Sequence, residues 1–111
     1  MLIFLCGLSG QLTNNSVNQT IFTVNSINTK AFRMDYTITR FSSIRHGTFF
    51  VTAQDSDDSS LTLSYSEDYT ENLDTGVTFT ASQSSNTVSV KYTTTNTGSD
   101  GTLTYSVSHL A

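Results

Sequence analysis

The chain contains no proline and no tryptophan, and its one cysteine is Cys6. A single cysteine excludes an internal disulfide and a zinc cluster built from cysteines. The lack of proline suits uninterrupted β-sheet ladders, because proline cannot donate a hydrogen bond to them. The lack of tryptophan weakens the case for an aromatic platform that binds sugars. These absences favour a β fold that is held by packing and backbone hydrogen bonds.

Charge is also scarce, at 13% of 111 residues, and nine acidic residues outnumber five basic ones to give a net charge of −4. An acidic balance argues against a nucleic-acid partner, since phosphate binding requires a basic surface. Residues 1–6 are apolar, but they are too few to span a membrane and lack the basic start of a signal peptide. We therefore predict no nucleic-acid and no membrane partner, and a strand or packing arm at residues 1–6.

Serine and threonine, in contrast, make up a third of the chain, with 17 and 20 copies. Such a fraction can indicate disorder, but here apolar residues alternate strictly with polar ones, which disordered tracts do not show. Threonine is β-branched and suits the solvent-facing side of a strand. The composition thus predicts an all-β domain with a hydroxyl-rich surface.

The alternation is clearest in two neighbouring segments and in one earlier segment. Val77 and Phe79 alternate with threonines, and after the polar residues 82–86 the alternation resumes at Val88 and Val90. This pattern predicts a hairpin. The earlier segment, residues 31–40, is predicted to be the most regular strand of the chain.

Seven segments of this kind recur at a spacing of roughly 8–12 residues, which is typical of a sandwich or barrel. With residues 1–6 as an eighth segment, we predict an antiparallel β-sandwich (jelly-roll or Ig-like) of seven to eight strands. Residues 1–19 are predicted to form an N-terminal arm and linker, and residues 20–111 the sandwich domain. Residues 42–47 are expected to be a turn, and residues 66–76 a longer acidic loop.

The alternating apolar residues also predict the core. Four tyrosines share the register of apolar neighbours and are expected to be mainly buried: Tyr36, Tyr65, Tyr92 and Tyr105. Tyr69, in contrast, lies in the acidic segment. The predicted core consists of Phe32, Met34, Tyr36, Ile38, Leu61, Leu63, Val77, Phe79, Val88, Val90, Tyr92, Leu103, Tyr105 and Val107.

The charges are segregated along the chain, with four of the five basic residues in 30–45 and seven of the nine acids in 55–74. Two interpretations stay open: solvated loops that keep the surface soluble, or patches of opposite sign that meet between subunits. The candidate subunit-interface residues are Arg33, Arg40, Arg45, Asp57, Asp58, Glu67, Asp68 and Glu71. If they meet between subunits, assembly should be sensitive to salt.

Two further chemistries are weaker candidates. The acids at 55–58 and 67–68 could offer oxygen ligands to calcium, but the spacing of a calcium-binding loop is absent and turns are the better interpretation. His46 and His109 could belong to a nucleophilic triad, but no Gly-x-Ser-x-Gly elbow occurs. We therefore predict no enzyme, no cofactor, no metal site and no catalytic residue.

Five phrases in the predicted strands resemble small β-domains of structural proteins in tailed bacteriophages. Such domains occur at the ends of fibre and spike proteins and as short accessory proteins of the virion. The resemblance covers roughly residues 31–110, and its most distinctive phrase is the one at 92–98. The five phrases are Tyr36-Thr37-Ile38-Thr39-Arg40, His46-Gly47-Thr48, Thr75-Gly76-Val77-Thr78-Phe79, Lys91-Tyr92-Thr93-Thr94-Thr95-Asn96-Thr97-Gly98 and Leu103-Thr104-Tyr105-Ser106.

The resemblance implies a non-enzymatic structural module, trimeric or bound to a lattice, on the exposed surface of the virion. Its partners would be other capsid or tail proteins and further copies of the chain. Fibre proteins carry a long shaft before such a domain, whereas residues 1–30 are all that precede it here, so a capsid decoration protein is expected first. The alternatives are a fibre or spike tip that binds a host surface glycan, and a carbohydrate-binding module.

Overall fold

The computed structural model describes residues 3–27, 29–53 and 63–109, the first five of these by their backbone alone. All of its regular elements are antiparallel strands, as the sequence predicts. The strands are β1 (Ile3–Leu12), β2 (Gln19–Asn25), β3 (Ala31–Arg40), β4 (Ser43–Thr52), β5 (Ser64–Glu71), β6 (Val77–Ser84), β7 (Thr87–Thr94) and β8 (Gly101–His109).

The eight strands form two sheets, one of five strands in the order β1-β8-β3-β4-β5 and one of three in the order β2-β7-β6. The chain closes on itself, since β1 pairs with β8 and β2 pairs with β7. Apolar side chains from both sheets meet between them, so the predicted antiparallel β-sandwich is confirmed. The predicted hairpin is β6–β7, whose strands extend further than expected and leave only residues 85 and 86 in the turn.

Strand β3 lies at the centre of the larger sheet, paired with β4 on one side and β8 on the other. Its even-numbered residues from 32 to 38 are buried, because a strand with partners on both edges and one face on the core must make that face apolar. Eleven of the fourteen predicted core residues are buried, namely Phe32, Met34, Tyr36, Ile38, Val77, Phe79, Val88, Val90, Tyr92, Leu103 and Val107.

The remaining core predictions divide. Leu63 and Tyr105 are half-buried and pack against the core, and Leu61 lies outside the described residues. The prediction that Tyr65 is mainly buried is wrong, since 46% of the residue is exposed. Tyr65 lies on edge strand β5, where the narrower three-stranded sheet gives little cover, and its ring centroid lies 5.5 Å from that of Phe49.

Residues 3–6 form a strand, in line with the prediction for residues 1–6, but the strand continues to Leu12. The prediction of a linker over residues 7–19 is therefore wrong for residues 7–12. In this stretch Leu8, Gly10 and Leu12 lie opposite Tyr105, Leu103 and Gly101 of β8. Of these three residues of β1, Leu12 is buried while Leu8 and Gly10 are exposed, so the sequence shows no clear apolar alternation there.

The turn predicted at 42–47 and the acidic loop predicted at 66–76 are also corrected. The turn between β3 and β4 contains only residues 41 and 42, and β5 continues to Glu71. The two mispredicted segments pair with each other, with Arg45 opposite Glu71 and Gly47 opposite Tyr69. Arg45, Gly47 and Glu71 at inward positions are charged or have no side chain, so the sequence shows no apolar alternation there.

Candidate functional site

The inward charges of β4 and β5 meet inside the chain. Arg45 donates from Nε to Glu71 Oε2 at 2.8 Å, and its Nη1 lies 3.5 Å from Glu67 Oε2. Its Nη2 donates to the backbone oxygen of Val77 in the opposing sheet at 2.8 Å. Only 4% of Arg45 is exposed. The basic and acidic segments of the sequence are therefore complementary, but at this point they meet within one chain.

Two tyrosines complete what we call the internal charge cluster, defined as Arg45, Glu67, Glu71, Tyr36 and Tyr69. The Tyr36 hydroxyl donates to the Glu67 carboxylate. The Tyr69 ring lies under the guanidinium, with Arg45 Cζ 4.3 Å from its centroid, a cation–π distance. Every charged group of the cluster thus has a partner of opposite sign or a hydrogen-bonding neighbour.

The cluster shifts the pKa values of its members. Burial raises the pKa of Tyr36 well above its ordinary value, and the hydrogen bond to Glu67 adds to the shift. Burial also works against the charge of Glu71, but hydrogen bonds from Thr75 and Arg45 outweigh it and leave the pKa of Glu71 below its ordinary value. For Arg45, burial lowers the pKa, yet the hydrogen bond to Glu71 and the charge of Glu67 outweigh it and the pKa is raised.

A second buried arginine, Arg40, cross-links three loops at one end of the sandwich. Its Nε donates to Ser99 O at 2.9 Å and its Nη1 to Thr75 O at 2.9 Å. Its Nη2 donates to Asn14 Oδ1 at 2.7 Å and to Thr95 O at 2.6 Å. These acceptors come from the β1–β2, β5–β6 and β7–β8 loops. Only 3% of Arg40 is exposed, so its charge is satisfied by carbonyl and amide oxygens in the interior.

The end of the sandwich above Arg40 exposes three large apolar residues: Phe41, Ile44 and Leu73. We call these three residues the apolar end. Phe41 and Leu73 border an open cleft of about 280 Å³, whose other walls include Asp74, Thr97 and Ser99. An aromatic ring beside an open cleft, on loops that are held by a buried arginine, can bind a partner.

The predicted interface residues fall into separate places. Arg45, Glu67 and Glu71 are brought together, but inside the chain, and Arg40 is buried elsewhere. The structure gives Arg40 and Arg45 partners within their own chain, and both side chains are enclosed, in place of the contact with a neighbouring subunit that the sequence suggested.

The remaining predicted interface residues are outside these two buried clusters. Arg33 is exposed and lies 3.3 Å from Asp35 on the outer face of the larger sheet. Asp68 is exposed on β5, and Asp57 and Asp58 lie outside the described residues. Among the candidates that the structure describes, Arg33 and Asp68 are exposed, so their charges are accessible to a neighbouring molecule.

The two histidines lie apart. His46 is exposed on the outer face, with Nδ1 3.0 Å from Thr37 Oγ1. His109 ends β8, where its ring stacks on Phe32 and its Nδ1 lies 3.2 Å from Thr29 Oγ1. Each imidazole thus contacts a threonine hydroxyl on a different side of the molecule.

Within residues 3–27, 29–53 and 63–109, no three histidine, cysteine or acidic side chains lie close enough together to hold a metal ion. In the same residues no helix is long and apolar enough to cross a membrane. Glu67, weighed above as a calcium ligand, points instead at Arg45 and Tyr36. Comparisons with protein-family models, with curated proteins and with solved structures found no match to this chain.

The apolar end was not predicted from the sequence. The strand residues that flank the turn, Arg40 and Ser43, are polar but buried, so neither strand shows apolar alternation next to Phe41. The signal that was available is the regular alternation up to Ile38, which places the hairpin turn within a few residues and leaves Phe41 as a bulky residue in it.

Proposed function

We propose that the chain is a non-enzymatic structural component of a bacteriophage virion, and specifically a capsid decoration protein on the exposed surface of the particle. One observation carries this proposal. Three of the five phrases that resemble phage structural proteins are joined by one side chain, since Arg40 ends the first phrase and bonds to Thr75 of the third and Thr95 of the fourth. Thr95 N also donates to Gly76 O at 2.9 Å.

These three phrases therefore form one connected framework. This supports an architecture shared with the phage structural proteins over a chance similarity of short sequence segments. The framework holds the loops in place by hydrogen bonds and without an internal disulfide, since Cys6 has no second cysteine to pair with. A domain of this kind suits a role in which it is displayed and stays folded on a surface. The hydroxyl-rich outer face of the larger sheet is suited to the side that faces solvent.

The proposed partners are other virion proteins, with further copies of the chain as a homo-oligomer, including a trimer. Nucleic acid is not among them. Two of the five basic residues, Arg40 and Arg45, are buried inside the sandwich, and the net charge is −4. What remains is too little positive surface for contacts to phosphates.

A second candidate is a fibre or spike tip that binds a host glycan, or a carbohydrate-binding module. The cleft at the apolar end favours it, because its lining includes the aromatic residue Phe41 together with Asp74 and Thr97. An aromatic face next to hydrogen-bonding groups is a combination that can hold a sugar ring.

The test is to purify the particles of the phage whose genome encodes this chain. Quantitative mass spectrometry then counts the copies of the chain per particle, and cryo-EM locates them. A decoration protein should be present in a fixed ratio to the major capsid protein, with density over the capsid lattice. Density confined to a tail tip, together with binding on a glycan array, would support the second candidate. Absence from the purified particle would contradict both.

A further inference from the structure

The turn between β3 and β4 has an unusual residue at its first position. Arg40 pairs with Ser43, which leaves the two-residue loop Phe41-Ser42. Phe41 has a φ of 54°, in the left-handed region, and Ser42 does not. One positive φ at the first central position is the pattern of a type II′ turn, where glycine is preferred. A bulky side chain in this region is a strained outlier.

The Phe41 side chain gains nothing from the rest of the chain in return. Phe41 is 92% exposed, so its ring leaves almost all of its apolar surface in water. Strain and exposure both oppose folding, and glycine at this position would avoid both. The structural role of the ring therefore lies in a contact outside the chain.

The two other residues of the apolar end, Ile44 and Leu73, are held in place by Asn72. Asn72 bridges the β4 and β5 ends: its Oδ1 accepts from Ile44 N at 2.7 Å and from Leu73 N at 2.8 Å. Asn72 N donates to Ile44 O at 3.2 Å. Below them, Arg40 fixes the loops, as described above. A preorganised surface loses little conformational freedom on binding, which favours affinity.

We propose that the apolar end is the surface through which the chain attaches to another protein of the particle, with Phe41 inserted into an apolar pocket on that protein. This inference rests on the proposed function. Aromatic residues in well-packed pockets carry a large share of the binding energy of protein interfaces. Phe41 is the anchor, and Ile44 and Leu73 flank it.

The charges at this end define the rim of the partner's pocket. Asp74 and Asp100 are exposed in the loops at the apolar end, whereas the guanidinium of Arg40 is buried. The exposed cations Lys30 and Arg33 lie at the opposite end of β3. The attaching surface is thus apolar with an acidic border, and it fits a pocket with a basic border.

The same features disfavour other occupants. Two copies placed end to end would bring acidic borders together. An anionic lipid surface would be repelled by the same carboxylates.

The experiment uses virions from a phage in which the gene for this chain is deleted, with the purified chain added back and bound protein measured by co-sedimentation. Phe41→Gly should weaken binding by about 10–100-fold, as expected for the loss of an interface anchor. The matched control is Phe50→Thr, which removes a ring that is also exposed but lies on the outer face of the sheet, and it should bind as the parent does. Phe41→Gly should also melt at a temperature equal to or above that of the parent, which separates lost binding from lost folding.

Each possible result of this experiment supports or contradicts the attachment surface or the proposed function. If the parent chain binds the particles and Phe41→Gly binds equally well, the attachment surface is wrong while the proposed function stands. If the parent does not bind the particles at all, the proposed function fails and the surface with it. Phe41-dependent binding to anionic phospholipid vesicles or to a glycan array, or a Phe41-dependent dimer in sedimentation equilibrium, would replace the protein pocket with another occupant and overturn the inference.

Discussion

Arg45 and Glu71 face each other across the β4–β5 pair, with Nε and Oε2 2.8 Å apart. Their side chains are 5% and 16% exposed, so the pair is largely removed from water. Charges in such a place are costly to desolvate and stay ionised only because each has its partner. The contact therefore commits the two segments to one register, since a slip of β5 by one residue would turn Glu71 to the other face of the sheet, away from Arg45.

Replacing Arg45 by Met should destabilise the fold by about 3–5 kcal/mol, because Glu67 and Glu71 are then left half-buried without a counter-charge. The matched control is Arg33→Met, which breaks the exposed pair with Asp35 and should cost no more than about 1 kcal/mol. Urea denaturation of the two variants measures the difference. Adding Glu67→Gln and Glu71→Gln to Arg45→Met should recover part of the loss, and no recovery would contradict this account of the cost.

Acid should weaken the fold through Glu71. The pKa of Glu71 is lower in the folded state than its ordinary value of 4.5. Its contribution to stability is therefore complete above pH 4.5 and is lost as the pH falls through the folded-state pKa. Urea midpoints measured from about pH 7 to about pH 2.5 should fall more steeply for the parent than for Glu71→Gln. Parallel curves would show that Glu71 is not linked to stability.

Gly47→Ala should destabilise the chain by about 1–3 kcal/mol, as overpacking does. A Cβ at Gly47 would lie 2.5 Å from Tyr69 Cβ and 2.6 Å from the backbone oxygen of Asp68, and a backbone atom cannot move aside by changing rotamer. Gly10→Ala is the control, since a Cβ there meets nothing within 4 Å. Thermal melting of both variants should show a lower midpoint for the first and an unchanged or higher midpoint for the second.

Phe79→Ala should cost about 3–5 kcal/mol, enough to unfold much of a domain of this size. Phe79 is buried, and its ring centroid lies 4.9 Å from that of Tyr36 and 5.9 Å from that of Phe49, so it links the two sheets. Phe50→Ala, at a ring that is 43% exposed on the outer face of the larger sheet, should cost clearly less than Phe79→Ala. Equal urea midpoints for Phe79→Ala and the parent would contradict the core assignment.

The sequence by itself determined the fold class and most of the core. In β3, β6, β7 and β8, apolar residues alternate with polar ones, and a period of two has one physical solution, a strand with one face on a core. Phe32, Val77, Val88 and Leu103 are buried for this reason. The local pattern was sufficient here because the alternation within each strand shows which of its faces is buried.

The placement of the charges and of the residues at the apolar end depends on the tertiary structure. Arg45 and Glu71 look like solvated residues in the sequence, and they become interior residues only because β4 and β5 pair in one register and neutralise each other. Arg40 is buried because acceptors from three distant loops converge on it. Phe41 becomes exposed because the hairpin turns at that residue with a positive φ. Each of these outcomes depends on contacts between segments far apart in the chain, which no local period encodes.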